Sequence, residues 1–204
     1  MICTASFAEG TPPWRAGSGL GWVTAEYGML PASTGQRKGR PGLRPDSRGL
    51  EIQRLIGRAL RSVVRFEKVG PNTIYLDCDV LQADGGTRTA AITGAYVALC
   101  RAVGRYTADG ICRAGAIKGA VAAVSVGMID GRAVLDLDYE EDAAADVDMN
   151  VAMTGGGRFI EVQSTAEGAA FCEADLEKML RLAKRGIRKL LAVQRLAIER
   201  RGRA

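Results

Sequence analysis

The residues best suited to chemistry fall into three short stretches. The first is Asp84-Gly85-Gly86-Thr87-Arg88-Thr89, placed where strand-like alternation over residues 73–80 gives way to an Ala-rich helical run over 87–103. Two adjacent glycines let the backbone approach a ligand closely. The helix that follows begins with N–H groups that have no intrahelical partner, and these form an anion site. Thr87, Arg88 and Thr89 add two hydroxyls and a guanidinium at the same place. Together they suit inorganic phosphate or a phosphodiester. The same residues also fit an ordinary turn with Thr87 as the helix cap, and spacing alone leaves both readings open. A P-loop is excluded, because the GxxxxGK[ST] spacing is missing.

The second stretch is acidic. Residues 130–148 hold eight carboxylates against one base, Arg132. Asp136, Asp138, Glu140, Glu141, Asp142, Asp146 and Asp148 are its dense part. Asp146, Asp148 and Asn150 share one face of a strand-like alternation, with Val147, Met149 and Val151 on the other. Carboxylates without histidine suit a hard cation such as Mg²⁺. They can also supply a general acid. A solvated strand face and turn would read the same way. The third candidate is Arg48, which precedes an amphipathic helix. Both it and Glu167 default to surface charges.

Composition excludes much else. There is no histidine, so a Ser-His-Asp triad, a Cys-His pair and any imidazole metal site are ruled out. The five cysteines are odd in number and lack CxxC spacing. A disulfide framework and a zinc ribbon are therefore not expected, and a reducing cytoplasm fits. The longest apolar stretch, about residues 119–129, is too short to span a bilayer, and no membrane or secretory leader is expected. The net charge of +5 conceals asymmetry. Residues 35–68 carry ten bases against three acids, and residues 181–204 carry nine against Glu199. Such blocks fit solvated faces or a polyanionic partner.

These groups need elements to hold them. Ile52, Leu55, Ile56, Ala59, Leu60, Val63 and Val64 recur at helical spacing, with Arg54, Arg58, Arg61 and Arg65 on the opposite face. Residues 1–7 and 73–80 alternate as strands. Further strands are predicted over 119–129, 132–139, 146–153 and 158–163, the last two joined by Gly155-Gly156-Gly157. A final helix is predicted over 174–200. Residues 10–21, rich in Gly, Pro and Trp, read as loop, as do residues 32–46. The order predicts an α+β fold, a mixed or antiparallel sheet with helices packed on one side, in a single domain over 1–204.

Several runs taken in order resemble ribonuclease PH, a phosphorolytic tRNA nucleotidyltransferase family. They are GWVTAEYGMLP (21–31), EIQRLIGR (51–58), LDCDVLQADGGTRTA (76–90), AAVSVG (122–127), Asp142 with DVDMNV (146–151), and EVQSTAEG (161–168). The resemblance implies an RNase PH-type fold. It also implies a 3′-to-5′ exoribonuclease that uses inorganic phosphate to trim RNA 3′ ends, tRNA precursors above all, and releases nucleoside diphosphates. Arg48, Thr87 and Arg88 match the family's phosphate-binding positions, so phosphate is expected at the Gly86–Thr89 helix start, with Gly86 and Thr89 among its contacts and Arg48 closing on it. Asp142 and Asp148 match its catalytic carboxylates, which hold Mg²⁺ or donate a proton. Arg37, Lys38, Arg40 and Arg44 lie where relatives carry an RNA-contacting loop.

A homo-oligomer is implied, a hexameric ring or an altered one. The alternative is a non-catalytic RNA-binding or ring-scaffold member of the same fold. The sequence departs from the family's pattern in three places. It begins at what corresponds to an internal strand, so an N-terminally shortened domain is expected. The loop over 33–47 follows the family poorly. Ser164 stands where glycine is expected.

Overall fold

The computed structural model describes residues 1–39, 47–167 and 170–199. Three strands form the first sheet: β1 (Ile2–Glu9), β2 (Trp22–Met29) and β3 (Asn72–Val80). Their order is β1-β3-β2, with β1 antiparallel and β2 parallel to β3. The second sheet is antiparallel, in the order β5-β4-β6-β7. It comprises β4 (Val121–Ile129), β5 (Arg132–Leu135), β6 (Val147–Thr154) and β7 (Phe159–Ala166). The helices are α1 (Ser47–Arg61), α2 (Phe66–Val69), α3 (Thr87–Ala108), α4 (Tyr139–Ala144) and α5 (Glu173–Glu199).

The α+β class is as expected, and burial explains how the layers divide. The first sheet carries helices on one side. Ile74, Leu76 and Cys78 of β3 are buried with the α1 and α3 cores, while Tyr75 and Asp79 on the opposite face are exposed. The second sheet is covered on both faces. On β4, Val121 and Ala123 belong to the core shared with α3, while Ala122, Val124, Val126 and Met128 pack with Met179, Ala183 and Ile187 of α5. A strand covered on both sides reads as a continuous apolar run, as β4 does. Helix α3 therefore lies between the sheets, touching β1, β3 and β4.

Two local readings needed correction, and one strand was not predicted. Strand β2 had no clean sequence signal, because Ala25 and Gly28 thin its alternation. The strand expected over 132–139 stops at Leu135, since Asp136 takes a left-handed φ of 63°. Helix α4 then starts from Asp138, whose carboxylate accepts from the Glu141 backbone N–H while Glu141 reaches back to the Asp138 N–H. That is a capping box, and its D-x-x-E spacing was readable in the sequence. Helix α1 starts earlier than its apolar stripe, so Arg48 lies inside its first turn rather than before it.

Among the described residues, no helix is long and apolar enough to cross a membrane.

Ile56 is fully buried between α1 and the first sheet. Ile56→Ala is expected to cost about 2–5 kcal/mol from lost transfer energy and the cavity left behind. Urea unfolding should show this as a lower midpoint with an unchanged slope; a loss well below 1 kcal/mol would contradict the packing.

Candidate functional site

Parallel pairing of β2 with β3 puts two loops at one end of the first sheet. Met29 is opposite Val80, so the chain leaves β2 toward Arg37 and Lys38 at the same end where β3 runs into the Gly85-Gly86 turn. Backbone bonds tie the two exits together. The Leu30 N–H donates to the Val80 carbonyl at 3.1 Å and the Ala83 N–H to the Ser33 carbonyl at 2.6 Å. Arg37 is exposed. The Lys38 ammonium lies 3.7 Å from the Met29 sulfur. Arg40 and Arg44 lie outside the described residues.

The turn itself depends on its two glycines. A Cβ on Gly85 would strike the Leu137 carbonyl oxygen and come within 2.7 Å of the Asp138 carbonyl oxygen. Gly86 caps α3 with a φ of 68°, a left-handed conformation that glycine adopts without penalty. No side chain caps the helix there, and its first turn has no acid. The alternative in which Thr87 caps the helix is thus not what forms. Instead the Thr87 hydroxyl is 2.8 Å from the Tyr27 hydroxyl, and the Thr89 hydroxyl donates to the Gly86 carbonyl at 2.8 Å. The positive end of the α3 dipole therefore has no acidic side chain in the first turn to offset it.

Asp84 joins this turn to the acidic segment. One carboxylate oxygen accepts from the Gly85 N–H at 2.9 Å and from the Tyr139 N–H at 2.6 Å. Tyr139 opens α4, which carries Asp142 one turn further on. Sequence reading placed Asp84 in the turn but did not foresee this second bond.

The charged groups then meet over β6. Asp148 lies on the α3 side of the sheet, beside Asn150, whose amide is 3.5 Å from its carboxylate. Its carboxyl is pushed above the ordinary value, first by burial, then by the Asp142 carboxylate and by Glu167. Arg88 and Arg48 pull in the other direction. Asp142, Glu167, Arg88 and Arg48 therefore all act on Asp148.

Arg88 has only 19% of its side chain exposed. Its guanidinium is 3.3 Å from Gln163 Oε1 and 3.9 Å from Glu51 Oε1, and the Gln163 amide reaches the same Glu51 oxygen at 3.4 Å. Glu51 and Gln163 hold Arg88 from α1 and β7. Both were inside quoted runs, but nothing in their spacing marked them. On β7, the Ser164 hydroxyl donates to the Asp148 carbonyl at 3.2 Å.

Residues 1–103 match domain 1 of the 3′ exoribonuclease family, RNase PH, and residues 119–186 match its domain 2. The chain belongs to the 3′ exoribonuclease family. Its fold is similar to that in the crystal structure of rice (Oryza sativa) Rrp46, with a TM-score of 0.74 over 97% of this chain and 83% of that one, at 14% identity. The candidate-site residues of this 3′ exoribonuclease family member come from both matched regions. Arg48, Gly86 and Arg88 come from the first, and Asp142, Asp148 and Glu167 from the second.

Two outcomes follow from this geometry. Gly85→Ala should destabilise the protein by about 1–3 kcal/mol, because backbone rather than a movable side chain blocks the new methyl; a thermal melt matching wild type would refute the close approach. Asp148 has a folded-state carboxyl raised above its unfolded value, so the native state binds more protons across the interval between the two. Stability contributed by this residue must fall as pH rises through that interval, which opens near 3.8. In magnesium-free buffer, Asp148→Asn should therefore melt at or above wild type near pH 7, and this advantage should vanish below pH 3.8.

Proposed function

We propose that this protein is a phosphate-dependent 3′-to-5′ exoribonuclease that trims RNA 3′ ends, with tRNA precursors as the natural substrate class. The observation that carries the reading is that Arg88, in the first turn of α3, and Arg48, in the first turn of α1, both act on the raised carboxyl of Asp148. Inorganic phosphate needs N–H donors, hydroxyls and guanidinium groups. The Gly86–Thr89 segment and Arg88 offer all three, the hydroxyl being that of Thr87, and Arg48 adds a second guanidinium from the first turn of α1.

In this reading a phosphate oxygen attacks the phosphorus of the last phosphodiester. A new P–O–P bond forms, and the bond to the 3′ oxygen of the preceding nucleotide breaks. The products are a nucleoside 5′-diphosphate and an RNA one residue shorter. Arg48 and Arg88 offset the charge gathering on the transferring group. Asp148 keeps its proton more readily than an ordinary carboxyl, so it can hand that proton to the departing 3′ oxygen. Arg88 is already oriented by Glu51 and Gln163, which limits reorganisation on binding.

The donor set also fits Mg²⁺. It is all oxygen, and crowded carboxylates whose mutual repulsion raises a pKa gain from a cation between them. Among the described residues no group of three His, Cys, Asp or Glu forms a ready cage. Asp142 and Asp148 would thus supply two ligands, with water and substrate phosphate completing the shell; Asp148 would then serve as an ionised carboxylate in place of the proton donor. Bound there, the ion would neutralise charge on the phosphates. A ring-shaped homo-oligomer, hexameric in the usual form, would gather several basic loops around a common opening and make weak phosphate contacts act together.

The reading is tested with an RNA bearing a short unpaired 3′ tail. Nucleoside diphosphates should appear only when phosphate is added; monophosphates released without it would refute phosphorolysis. Intact RNA under all conditions, together with tight RNA binding, would support the scaffold alternative.

Arg88→Ala should raise the phosphate concentration needed for half-maximal rate by about tenfold or more, while Asp142→Asn should chiefly lower turnover. Mg²⁺ should raise the melting temperature of wild type more than that of Asp148→Asn. RNA affinity should fall steeply with salt, and replacing Arg37, Lys38, Arg40 and Arg44 together should flatten that slope.

A further inference from the structure

The loop between β1 and β2 carries an aromatic cluster that the proposed chemistry does not use. Trp22 stacks on Phe66 with ring centroids 5.7 Å apart, and Trp14 meets Trp22 edge-on at 4.7 Å. The Arg15 guanidinium is inserted among them, 4.6 Å from the Phe66 centroid, 4.9 Å from Trp22 and 5.7 Å from Trp14. Its Nε is buried without a hydrogen-bond partner, so the rings are its chief surroundings. Arg61 of α1 lies over Trp22 at 4.6 Å and donates to the Val23 carbonyl. The outermost indole, Trp14, is 65% exposed. An exposed tryptophan is ordinarily a liability. Here it is the outer member of a braced stack, and its orientation is fixed in advance.

Helix α1 connects this cluster to the candidate site. At its start, Arg48 acts on Asp148 and Glu51 holds Arg88. At its end, Arg61 covers Trp22. Arg54, Arg58 and Arg61 recur at spacings of four and three, so they line one face between the two. Arg54 and Arg58 are exposed. The acids along the path are Glu51, engaged with Arg88, and Glu161, paired with Arg58 at 3.7 Å. An exposed pair of that kind is weak and exchanges readily for a phosphate contact. From Arg48 to Arg61 the helix rises about 20 Å.

We propose that the α1 face is a track for single-stranded RNA: Arg54 and Arg58 contact the backbone, and a base several nucleotides upstream of the 3′ end stacks on Trp14. This rests on the RNA reading above. The occupant follows from the chemistry. A row of guanidinium groups matches a phosphate backbone, and a pre-oriented exposed indole ring beside cations matches an unpaired base. The same combination is sequence-tolerant, since every base has a π-face.

The test measures binding without phosphate, so that no cleavage intervenes. Oligoadenylates of increasing length are titrated while tryptophan fluorescence and anisotropy are followed. Wild type should gain affinity steeply once the RNA is long enough to reach Trp14, with quenching at the same length. Trp14→Ala should lose about 5- to 100-fold of that gain, and Trp14→Phe should recover part of it without the quenching. Arg54→Gln with Arg58→Gln should lower the salt slope for the long RNA only.

Equal affinity of Trp14→Ala and wild type at every length would overturn the track, even if phosphate-dependent cleavage is found. A length-dependent gain in a protein that never cleaves RNA would leave the track standing and remove the catalytic reading. A change in sedimentation with Trp14→Ala at unaltered RNA affinity would make this face a subunit contact and overturn the proposal.

Discussion

The site depends on one close approach of backbone to backbone. Gly85 meets the carbonyls of Leu137 and Asp138 with no side chain between them. These residues fall in the two regions matched by separate family domains. Asp84 fastens the same contact by accepting from both sides, from Gly85 and from Tyr139. Without that approach, the start of α3 and the acidic α4 would stand on separate surfaces. With it, an anion-seeking helix end and a carboxylate pair are held together by short, rigid connections. Helix α3 makes the arrangement stiff, because it is packed against β1, β3 and β4 and cannot tilt toward one sheet without leaving the other.

The charges gathered there conflict with one another, and the conflict is useful. Asp148 is half-buried near two other carboxylates, so its ionised form is disfavoured. Arg88 and Arg48 relieve this only in part. A site of this kind is improved by whatever brings the missing charges: a proton on Asp148, a cation between the carboxylates, or a phosphate against the guanidinium groups. Ordinary folds avoid such arrangements, because they lower stability without ligand. A raised carboxyl among such charges marks a functional-site candidate.

The fold was largely legible because its long elements have strong periodicity. Helices α1 and α5 showed clear apolar stripes, and β4 showed the short continuous apolar run of a strand covered on both faces. What failed was local. Strand β2 carries Ala25 and Gly28 where a strong pattern needs bulk, and its pairing with β3 is parallel and distant in sequence. Helix α4 is too short for periodicity to show, although its capping box was present. In the candidate site, the Gly86–Thr89 turn stood out by its glycine-hydroxyl-arginine spacing, and family resemblance singled out Arg48, Asp142 and Asp148. Their supports did not stand out. Glu51, Gln163 and Tyr27 act through contacts between elements up to 112 positions apart, and no local pattern encodes a partner at that range.

Ser164 is the departure from the family pattern for which the structure gives a physical reason. A glycine at this point of β7 would leave the neighbouring backbone without a side-chain donor. The serine hydroxyl instead reaches the Asp148 carbonyl at 3.2 Å. In register Ser164 is opposite Met149 and Thr165 is opposite Asp148, so this bond crosses the β6–β7 ladder diagonally. It adds a tie beside the residue whose carboxyl is most strained by its surroundings, on a strand that is also the edge of its sheet. Edge strands fray more readily than central ones, because only one side is paired. Gln163, the next residue, must stay in place for Arg88 to be held against Glu51. The added hydroxyl thus secures both charges at once: the carboxyl of Asp148 through its own backbone, and the guanidinium of Arg88 through the strand that supports Gln163.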